Sequence, residues 1–227
     1  MRAIKTSFIP NFTQDSKLLE RFGESGPYYT SYPTHGNWSN HPDHVAYVES
    51  LKDFFLKNSD APIHLYIHIP FCAKLCYYCI CNIIVTNNRE RIQDFVGYLC
   101  REIDLLSNLF TELSIRPNIK EIHLGGGTPS HLENDQLELL VNTLGKIADI
   151  KGLHEFAMEI DPRTTSRDNL KFYSTLGINR ISFGVQDFDS DVQQAINRVQ
   201  PMEMVEDLLS PDVRSCFDGF NFDLLYG

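Results

Sequence analysis

The sequence has few basic residues for its length, and this shortage argues against two classes of protein. Its 227 residues include 20 Lys and Arg against 30 Asp and Glu, which gives a formal net charge of −10. A nucleic-acid-binding surface needs a basic face, and an anionic membrane repels a protein of this charge. Nucleic acid is therefore not an expected partner. A substrate with several carboxylates would need local cations to overcome the field of the protein.

Long apolar runs are also missing from the sequence. No stretch approaches the ~20 apolar residues of a membrane-spanning helix. Met1 to Phe12 lack the apolar core of a secretory signal. The chain has six cysteines, four of them close together, which is typical of a metal site in a reducing compartment and not of a disulfide scaffold. We therefore expect a cytoplasmic protein with no membrane span.

The apolar residues that are present alternate between strand-like and helix-like segments. With 42% apolar residues the chain can bury a core. The alternation predicts parallel strands joined by right-handed crossovers, which is an α/β fold. We expect residues 1–60 to form an N-terminal segment and helix, and 61–227 to form the α/β unit. The predicted strands lie near residues 63–69, 120–124, 154–160, 179–185 and 219–225, and the predicted helices near 43–57, 89–110, 134–148, 165–177, from Ser190, and 202–209.

Two features delimit the helix predicted over residues 165–177. Thr165-x-x-Asp168 resembles an N-terminal capping signal, in which a hydroxyl accepts from the first free backbone N–H groups. Gly177 is typical of a helix C-terminus, because glycine tolerates the left-handed backbone found there.

Four cysteines follow the first predicted strand in the pattern Cys72-x3-Cys76-x2-Cys79-x-Cys81. Thiolates are soft ligands that suit iron–sulfur clusters and zinc. Three close cysteines can hold three irons of a four-iron cluster and leave the fourth iron open to a small chelating molecule. A tetrahedral zinc site is the alternative, but it normally uses two cysteine pairs far apart. Cys81 follows Cys79 too closely to bind a second iron without strain, so we do not assign it as a ligand.

A glycine run follows the second predicted strand, in Gly125-Gly-Gly-Thr-Pro129. Glycines allow a backbone to approach a ligand without a Cβ in between. The carboxyl end of a strand before a helix is where α/β folds bind ligands. Taken alone, the run is more simply interpreted as a turn.

These stretches together resemble the radical S-adenosylmethionine (SAM) superfamily. Tyr66-Ile-His-Ile-Pro-Phe-Cys72 and Cys76-Tyr-Tyr-Cys79-x-Cys81 are similar to its oxygen-independent coproporphyrinogen III oxidase branch. The resemblance implies an open parallel (β/α) partial barrel of radical SAM type, with a [4Fe-4S] cluster and SAM as cofactors. The family barrel has six units and a C-terminal domain, so we expect this chain to be truncated after about the fifth strand, as a fragment or a shortened product.

The resemblance also implies an activity. A radical derived from SAM would remove hydrogen from two propionate side chains of coproporphyrinogen III, and loss of carbon dioxide would give protoporphyrinogen IX for haem and porphyrin biosynthesis. The resemblance also implies a monomer that receives electrons from a donor such as a flavodoxin or ferredoxin. A haem-carrying member of the same superfamily and a non-catalytic fragment are the alternatives.

Individual roles follow from the same resemblance. Each polar residue alone could be a solvated side chain or a cap, and His68 could as well be a satisfied core histidine. We expect His123 to be structural, because it has no matched partner. The implied metal ligands are Cys72, Cys76 and Cys79; the implied catalytic residues are Tyr66, His68 and Cys81; the implied cofactor-binding residues are Tyr66, Tyr78, Gly126, Gly127, Thr128, Glu159, Gln186, Arg198 and Asp223.

One more segment bears on the choice between branches. Tyr29-Thr-Ser-Tyr32-Pro-Thr34 resembles the N-terminal segment that wraps towards the active site in the oxidase branch, although Tyr28 stands where the family usually has an arginine. Together with Cys81, this segment favours the oxidase over the haem chaperone.

Overall fold

The computed structural model describes residues 43–58 and 60–225 of the chain. Tyr28 and the segment from Tyr29 to Thr34 lie outside the described residues. The described part of the chain from Val48 onwards forms one compact unit. The boundary expected from the sequence, between residues 60 and 61, stays a prediction.

Seven strands and seven α-helices make up the described part of the chain. The strands are β1 (Pro62–Ile69), β2 (Phe71–Cys72), β3 (Ile84–Val85), β4 (Asn118–Gly126), β5 (Glu155–Ile160), β6 (Arg180–Gln186) and β7 (Gly219–Leu224). The helices are α1 (His44–Lys57), α2 (Arg89–Glu112), α3 (Asn134–Leu144), α4 (Arg167–Thr175), α5 (Ser190–Ala195), α6 (Met202–Leu208) and α7 (Pro211–Arg214). Among them, no helix combines the length and the apolar character needed to cross a membrane.

Five of the strands form one parallel sheet whose spatial order, β1-β4-β5-β6-β7, follows the order of the chain. The prediction of five parallel strands is therefore confirmed, and each lies within two residues of its expected bounds. Because every strand runs in the same direction, all five carboxyl ends meet at one edge of the sheet.

Apolar side chains from the strands and helices build one core. In β5 and β6 the buried residues form nearly continuous runs, as expected for parallel strands covered on both faces. Fully burying an aliphatic or aromatic side chain contributes about 1.5–3 kcal/mol. The largest fully buried apolar side chains include Ile69, Phe71, Ile92, Ile122, Leu124, Leu137, Leu140, Leu144, Phe156, Met158, Tyr173 and Phe183.

A second, very small sheet was not expected from the sequence. Strands β2 and β3 pair in parallel, with Phe71 opposite Ile84 and Cys72 opposite Val85. Two-residue strands are too short to show any periodicity, so only the tertiary structure reveals them. Their pairing closes the base of the segment between them. We call this segment, residues 72–83, the cysteine loop.

Two helix boundaries differ from the predictions. The N-cap of α4 is Ser166, not Thr165: the Ser166 hydroxyl accepts from the Asn169 N–H, and the Asn169 side chain accepts from the Ser166 N–H. Thr165 instead donates to the Asp161 carbonyl, because it closes a short 3₁₀ turn over Pro162–Thr164. Helix α3 ends at Leu144 and not at residue 148, since the chain leaves the helix at Gly145. Gly177 has a φ of 93° just beyond α4, which confirms its predicted role.

Replacing Ser166 by Ala is expected to lower the free energy of unfolding by about 1 kcal/mol, because α4 loses its capping side chain. Urea denaturation followed by circular dichroism measures the change. Thr175→Ala, at the exposed end of the same helix, is the matched control and should change stability by less than half as much. Equal losses for the two variants would contradict the assigned cap.

Candidate functional site

The carboxyl edge of the sheet holds a cleft. Its walls are the cysteine loop and the ends of β4, β5, β6 and β7. Twelve of the fourteen predicted site residues line it: Cys72, Cys76, Tyr78, Cys79, Cys81, Gly126, Gly127, Thr128, Glu159, Gln186, Arg198 and Asp223. The structure therefore brings together residues that are up to 151 positions apart in the sequence. Tyr66 and His68 lie outside this lining and contact it from β1.

The cysteine loop is held at both its base and its tip. At the base, the Ile84 N–H donates to the Pro70 carbonyl and the Thr86 N–H donates to the Cys72 carbonyl. At the tip, the Tyr77 N–H donates to the Ile196 carbonyl over 3.0 Å. Asn197 has a φ of 56°, and its side chain donates to the Leu75 carbonyl over 2.7 Å. These contacts fix the loop against the segment that follows α5.

The three cysteines of the C-x3-C-x2-C pattern face the cleft with different degrees of burial. Cys72 and Cys76 are buried and Cys79 is half-buried. Burial raises the pKa of the Cys72 thiol, and the neighbouring Cys79 and Cys76 raise it further, while a hydrogen bond with Thr128 (3.3 Å) opposes the shift. Ionising the Cys72 thiol is therefore costly, and a bound metal would offset this cost by taking up the thiolate.

The donor set fits an iron–sulfur cluster chemically. Three soft sulfur ligands lie in one cleft, beside backbone that glycines leave open. In residues 43–58 and 60–225, no three His, Cys, Asp or Glu side chains surround a single point as they would around one bound metal ion. Cys72, Cys76 and Cys79 are the residues that would hold the cluster.

Cys81 also lines the cleft, but its surroundings differ. Burial raises the pKa of its thiol to about 11, with a further contribution from the charge of Cys79 and a hydrogen bond to it. The role of Cys81 stays a prediction.

Three successive glycines allow close packing at the end of β4. A Cβ on Gly126 would lie 2.6 Å from Nδ1 of His68, and one on Gly127 would lie 2.8 Å from the Phe71 carbonyl oxygen. Gly126 also has a φ of 115°, a conformation that other residues rarely adopt. The glycine run is therefore required by the backbone geometry and is not an ordinary turn.

The carboxylate of Glu159, on β5, is held from two sides. Nε2 of His123 lies 3.0 Å from one carboxylate oxygen, and the Gly126 N–H donates to the other over 3.1 Å. The expectation that His123 has no matched partner was therefore wrong: β4 and β5 are adjacent, and their register places the two side chains on the same face. This pairing fixes Glu159 with its remaining lone pairs available to the cleft.

Tyr66 and His68 form a short hydrogen-bonded chain behind the glycine run. The Tyr66 hydroxyl lies 3.1 Å from Nδ1 of His68, and Nε2 of His68 lies 2.8 Å from the Asn82 carbonyl oxygen. Burial raises the pKa of Tyr66, and the charges of Glu159 and Cys81 add to the effect. His68 thus ties β1 to the return of the cysteine loop, and catalytic roles for Tyr66 and His68 stay predictions.

Two predicted binding residues come from β6 and β7. Gln186 has a φ of 70° at the point where the pairing of β6 with β7 shifts register, so its side chain turns into the cleft. Burial raises the pKa of Asp223, and the nearby charge of Glu159 contributes to the increase.

Arg198 is almost completely buried and each nitrogen of its guanidinium has a partner. Nη2 donates to the Gly184 carbonyl over 2.7 Å and Nε donates to Gln200 over 3.1 Å. Nη1 lies 3.3 Å from the Asp161 carboxylate and 3.5 Å from the sulfur of Cys76. Its position is therefore fixed at the cleft wall.

The sequence analysis included neither Asp161 nor Arg163 among the site residues. Both line the cleft, as do Lys74, Ser182 and Gly184. Arg163 donates to both Asp161 carboxylate oxygens, the shortest contact being 2.6 Å, and its Nη2 lies 3.7 Å from Cys76 Sγ. Burial alone would raise the pKa of Asp161, but the hydrogen bonds from Arg163 and the charge of Arg198 outweigh it and hold the pKa below its usual range. The signal available in the sequence was Asp161-Pro-Arg163 directly after a strand.

Curated relatives share much of the sequence of this chain. It is 36% identical over 224 residues to the oxygen-independent coproporphyrinogen III oxidase of Synechocystis sp., and 37% identical over 217 residues to that of Pseudomonas aeruginosa. These alignments cover 98% and 94% of this chain but 47% and 46% of the relatives. The chain therefore spans about half the length of the curated relatives it matches.

A solved structure is similar to the described fold. Coproporphyrinogen III oxidase from Escherichia coli, described as a radical SAM enzyme, superimposes with a TM-score of 0.79 at 34% sequence identity. The match covers 94% of this chain and 46% of that one. The fold predicted from the resemblance, a parallel (β/α) partial barrel, is confirmed.

The family model of the radical SAM superfamily matches residues 66–210, which is more than half of the chain and includes the cysteine loop, the glycine run and Glu159. A [4Fe-4S] cluster and SAM are the cofactors of that superfamily, as the sequence predicted. The chain belongs to the radical SAM superfamily.

Proposed function

We propose that this chain carries the cluster- and SAM-binding part of an oxygen-independent coproporphyrinogen III oxidase. The reaction is the oxidative decarboxylation of two propionate side chains of coproporphyrinogen III to give protoporphyrinogen IX. The observation that carries the proposal is the meeting of three cysteines, a glycine run and a held carboxylate in one cleft. The identity of 34–37% to enzymes of that name, over more than nine tenths of the chain, supports the choice of substrate.

Cys72, Cys76 and Cys79 would hold the cluster, with one iron left free of protein ligands. When bound, the cluster and SAM supply one-electron chemistry that abstracts a hydrogen atom from a propionate side chain. The protein contributes position and shelter from water, since Cys72 and Cys76 are buried.

The residues around the cleft would hold SAM by complementary hydrogen bonding. Gly126, Gly127 and Thr128 would bring the backbone close to the amino acid end of SAM. Glu159 and Asp223 offer acceptors for hydroxyl or ammonium groups, and the rigidly held cation of Arg198 suits a carboxylate. Tyr78, in the cysteine loop, offers a ring face for the adenine.

The six cysteines in the described residues are all free, which suits a reducing, cytoplasmic location. We also propose that a flavodoxin or ferredoxin is the electron donor and that the protein is a monomer.

Replacing Cys76 by Ala should abolish SAM cleavage by protein reconstituted with iron and sulfide without oxygen, because only two of the three ligands remain. Iron and sulfide content and the release of 5′-deoxyadenosine after dithionite reduction are the measurements. Cys216→Ser, outside the cleft, should retain both. A C76A protein that binds four irons and cleaves SAM at the wild-type rate would falsify the ligand assignment.

Gly126→Ala should weaken SAM binding about tenfold or more, because the new Cβ collides with His68 and the φ of 115° becomes strained. Isothermal titration of the reconstituted protein with SAM measures the dissociation constant. Gly97→Ala is the matched control: a Cβ at Gly97, within α2, meets no atom within 4 Å. It should leave SAM binding unchanged and stabilise the helix by up to about 1 kcal/mol. Similar binding by both variants would remove the glycine run from the SAM site.

The substrate assignment is tested by incubating reconstituted, reduced protein with SAM, with and without coproporphyrinogen III. We expect 5′-deoxyadenosine to form faster with the substrate, and mass spectrometry to find products lacking one and two carboxyl groups. Haem binding without turnover would favour the chaperone alternative. A bound cluster without SAM cleavage under either condition would indicate a non-catalytic fragment.

A further inference from the structure

The sulfur of Cys76 has surroundings unlike those of the other two candidate ligands. Guanidinium nitrogens of Arg198 and Arg163 lie 3.5 and 3.7 Å from it, both in donor geometry. Within the described residues the sulfur of Cys72 has a hydroxyl partner, Thr128, and neither Cys72 nor Cys79 receives a guanidinium N–H. Two cations therefore converge on one ligand of the three.

Arg163 is oriented by contacts on several sides. Its Nε donates to both oxygens of Asp161, at 3.0 and 3.1 Å, and its Nη2 donates to one of them at 2.6 Å. The Asp161 N–H itself donates to the hydroxyl of Ser130, which lies in the 3₁₀ turn Pro129–His131 after β4. Pro162 restricts the turn between Asp161 and Arg163. These contacts hold the guanidinium facing Cys76.

The charges around this sulfur do not cancel. Asp161 is one anion, and Arg163 and Arg198 are two cations, so one net positive charge remains beside the ligand. The side chains of Asp161, Arg198 and Arg163 are only 7%, 8% and 18% exposed, so water screens this charge weakly. Reduction of a cluster adds an electron, and a nearby positive charge stabilises the reduced state more than the oxidised one. Hydrogen bonds to the ligand sulfurs act in the same direction.

We propose that Arg163 is a positioning residue for the cluster: held by Asp161, it donates to the Cys76 sulfur and raises the reduction potential of the centre. This inference rests on the proposed function in that it requires a cluster on Cys76, but it requires neither SAM cleavage nor a particular substrate. It assigns a role to a residue that the sequence interpretation left out.

The test compares the cluster reduction potential of wild-type protein and Arg163→Gln after anaerobic reconstitution, in the absence of SAM. Titration with dithionite and mediators, followed by electron paramagnetic resonance, measures the midpoint potential. Arg163→Gln should shift it to more negative values, because the net positive charge and a donor to sulfur are lost. The variant should also release iron to a chelator faster than the wild type.

Arg167→Gln is the matched control for the change in total charge. Arg167 lies four residues further along, is half-exposed, and pairs with Asp207 at 3.6 Å, away from the cysteines. Its removal should leave the potential and the rate of iron release unchanged. An equal shift in both variants would mean that net charge alone is responsible, and it would overturn the proposal.

The remaining outcomes are also decisive. An unchanged potential in fully loaded Arg163→Gln overturns the proposal and leaves the proposed function untouched. If that variant does not fold, Arg163→Lys takes its place. We expect a smaller negative shift of the potential, because an ammonium keeps the charge but cannot contact Asp161 and Cys76 together. An unchanged potential in Arg163→Lys would overturn the proposal. A wild-type chain that binds no cluster overturns both this inference and the proposed function.

Discussion

The parallel pairing of five strands in chain order is the constraint on which the rest of the structure depends. Each crossover returns the chain to the same end of the sheet, so every strand ends at one edge. Gly126, Glu159, Gln186 and Asp223 lie at the ends of different strands and meet there because of this pairing alone. The cysteine loop follows β1, the first of the five strands, and lies at the same edge. The site is thus a consequence of topology before any side chain is considered.

Electrostatic repulsion is the main difficulty that such a site has to overcome. Four thiols and three carboxyl groups, those of Glu159, Asp161 and Asp223, share one cleft in a protein with a net charge of −10. The pKa values of Cys72, Cys81 and Asp223 are all raised, first by burial and then by neighbouring anionic groups. Asp161 is the exception, since two guanidiniums hold its pKa down. Cations inside the cleft therefore allow a negatively charged protein to keep soft anionic ligands close together.

The supporting contacts fix the groups that face the cleft. His123 and the Gly126 N–H hold the two oxygens of Glu159, His68 ties β1 to the cysteine loop, and Asn197 holds the tip of that loop. Each contact joins residues distant in the sequence, and the two contacts of Glu159 come from the neighbouring strand, β4. A binding site built in this way is rigid before any ligand arrives, which reduces the entropy lost on binding.

The sequence by itself determined the parallel α/β arrangement, the approximate ends of the strands and the cysteine and glycine motifs. These features are local, because periodicity, spacing and turn chemistry depend on consecutive residues. Twelve of the nineteen residues that line the cleft were implied only by the family resemblance. The tertiary structure alone decided which side chains pair, because pairing depends on register between strands distant in the chain. The partnership of His123 with Glu159, the short pairing of Phe71 with Ile84 and the convergence of Arg163 and Arg198 on Cys76 span 13 to 122 residues. No pattern of neighbouring residues encodes contacts over such separations, and they arise only when the sheet forms.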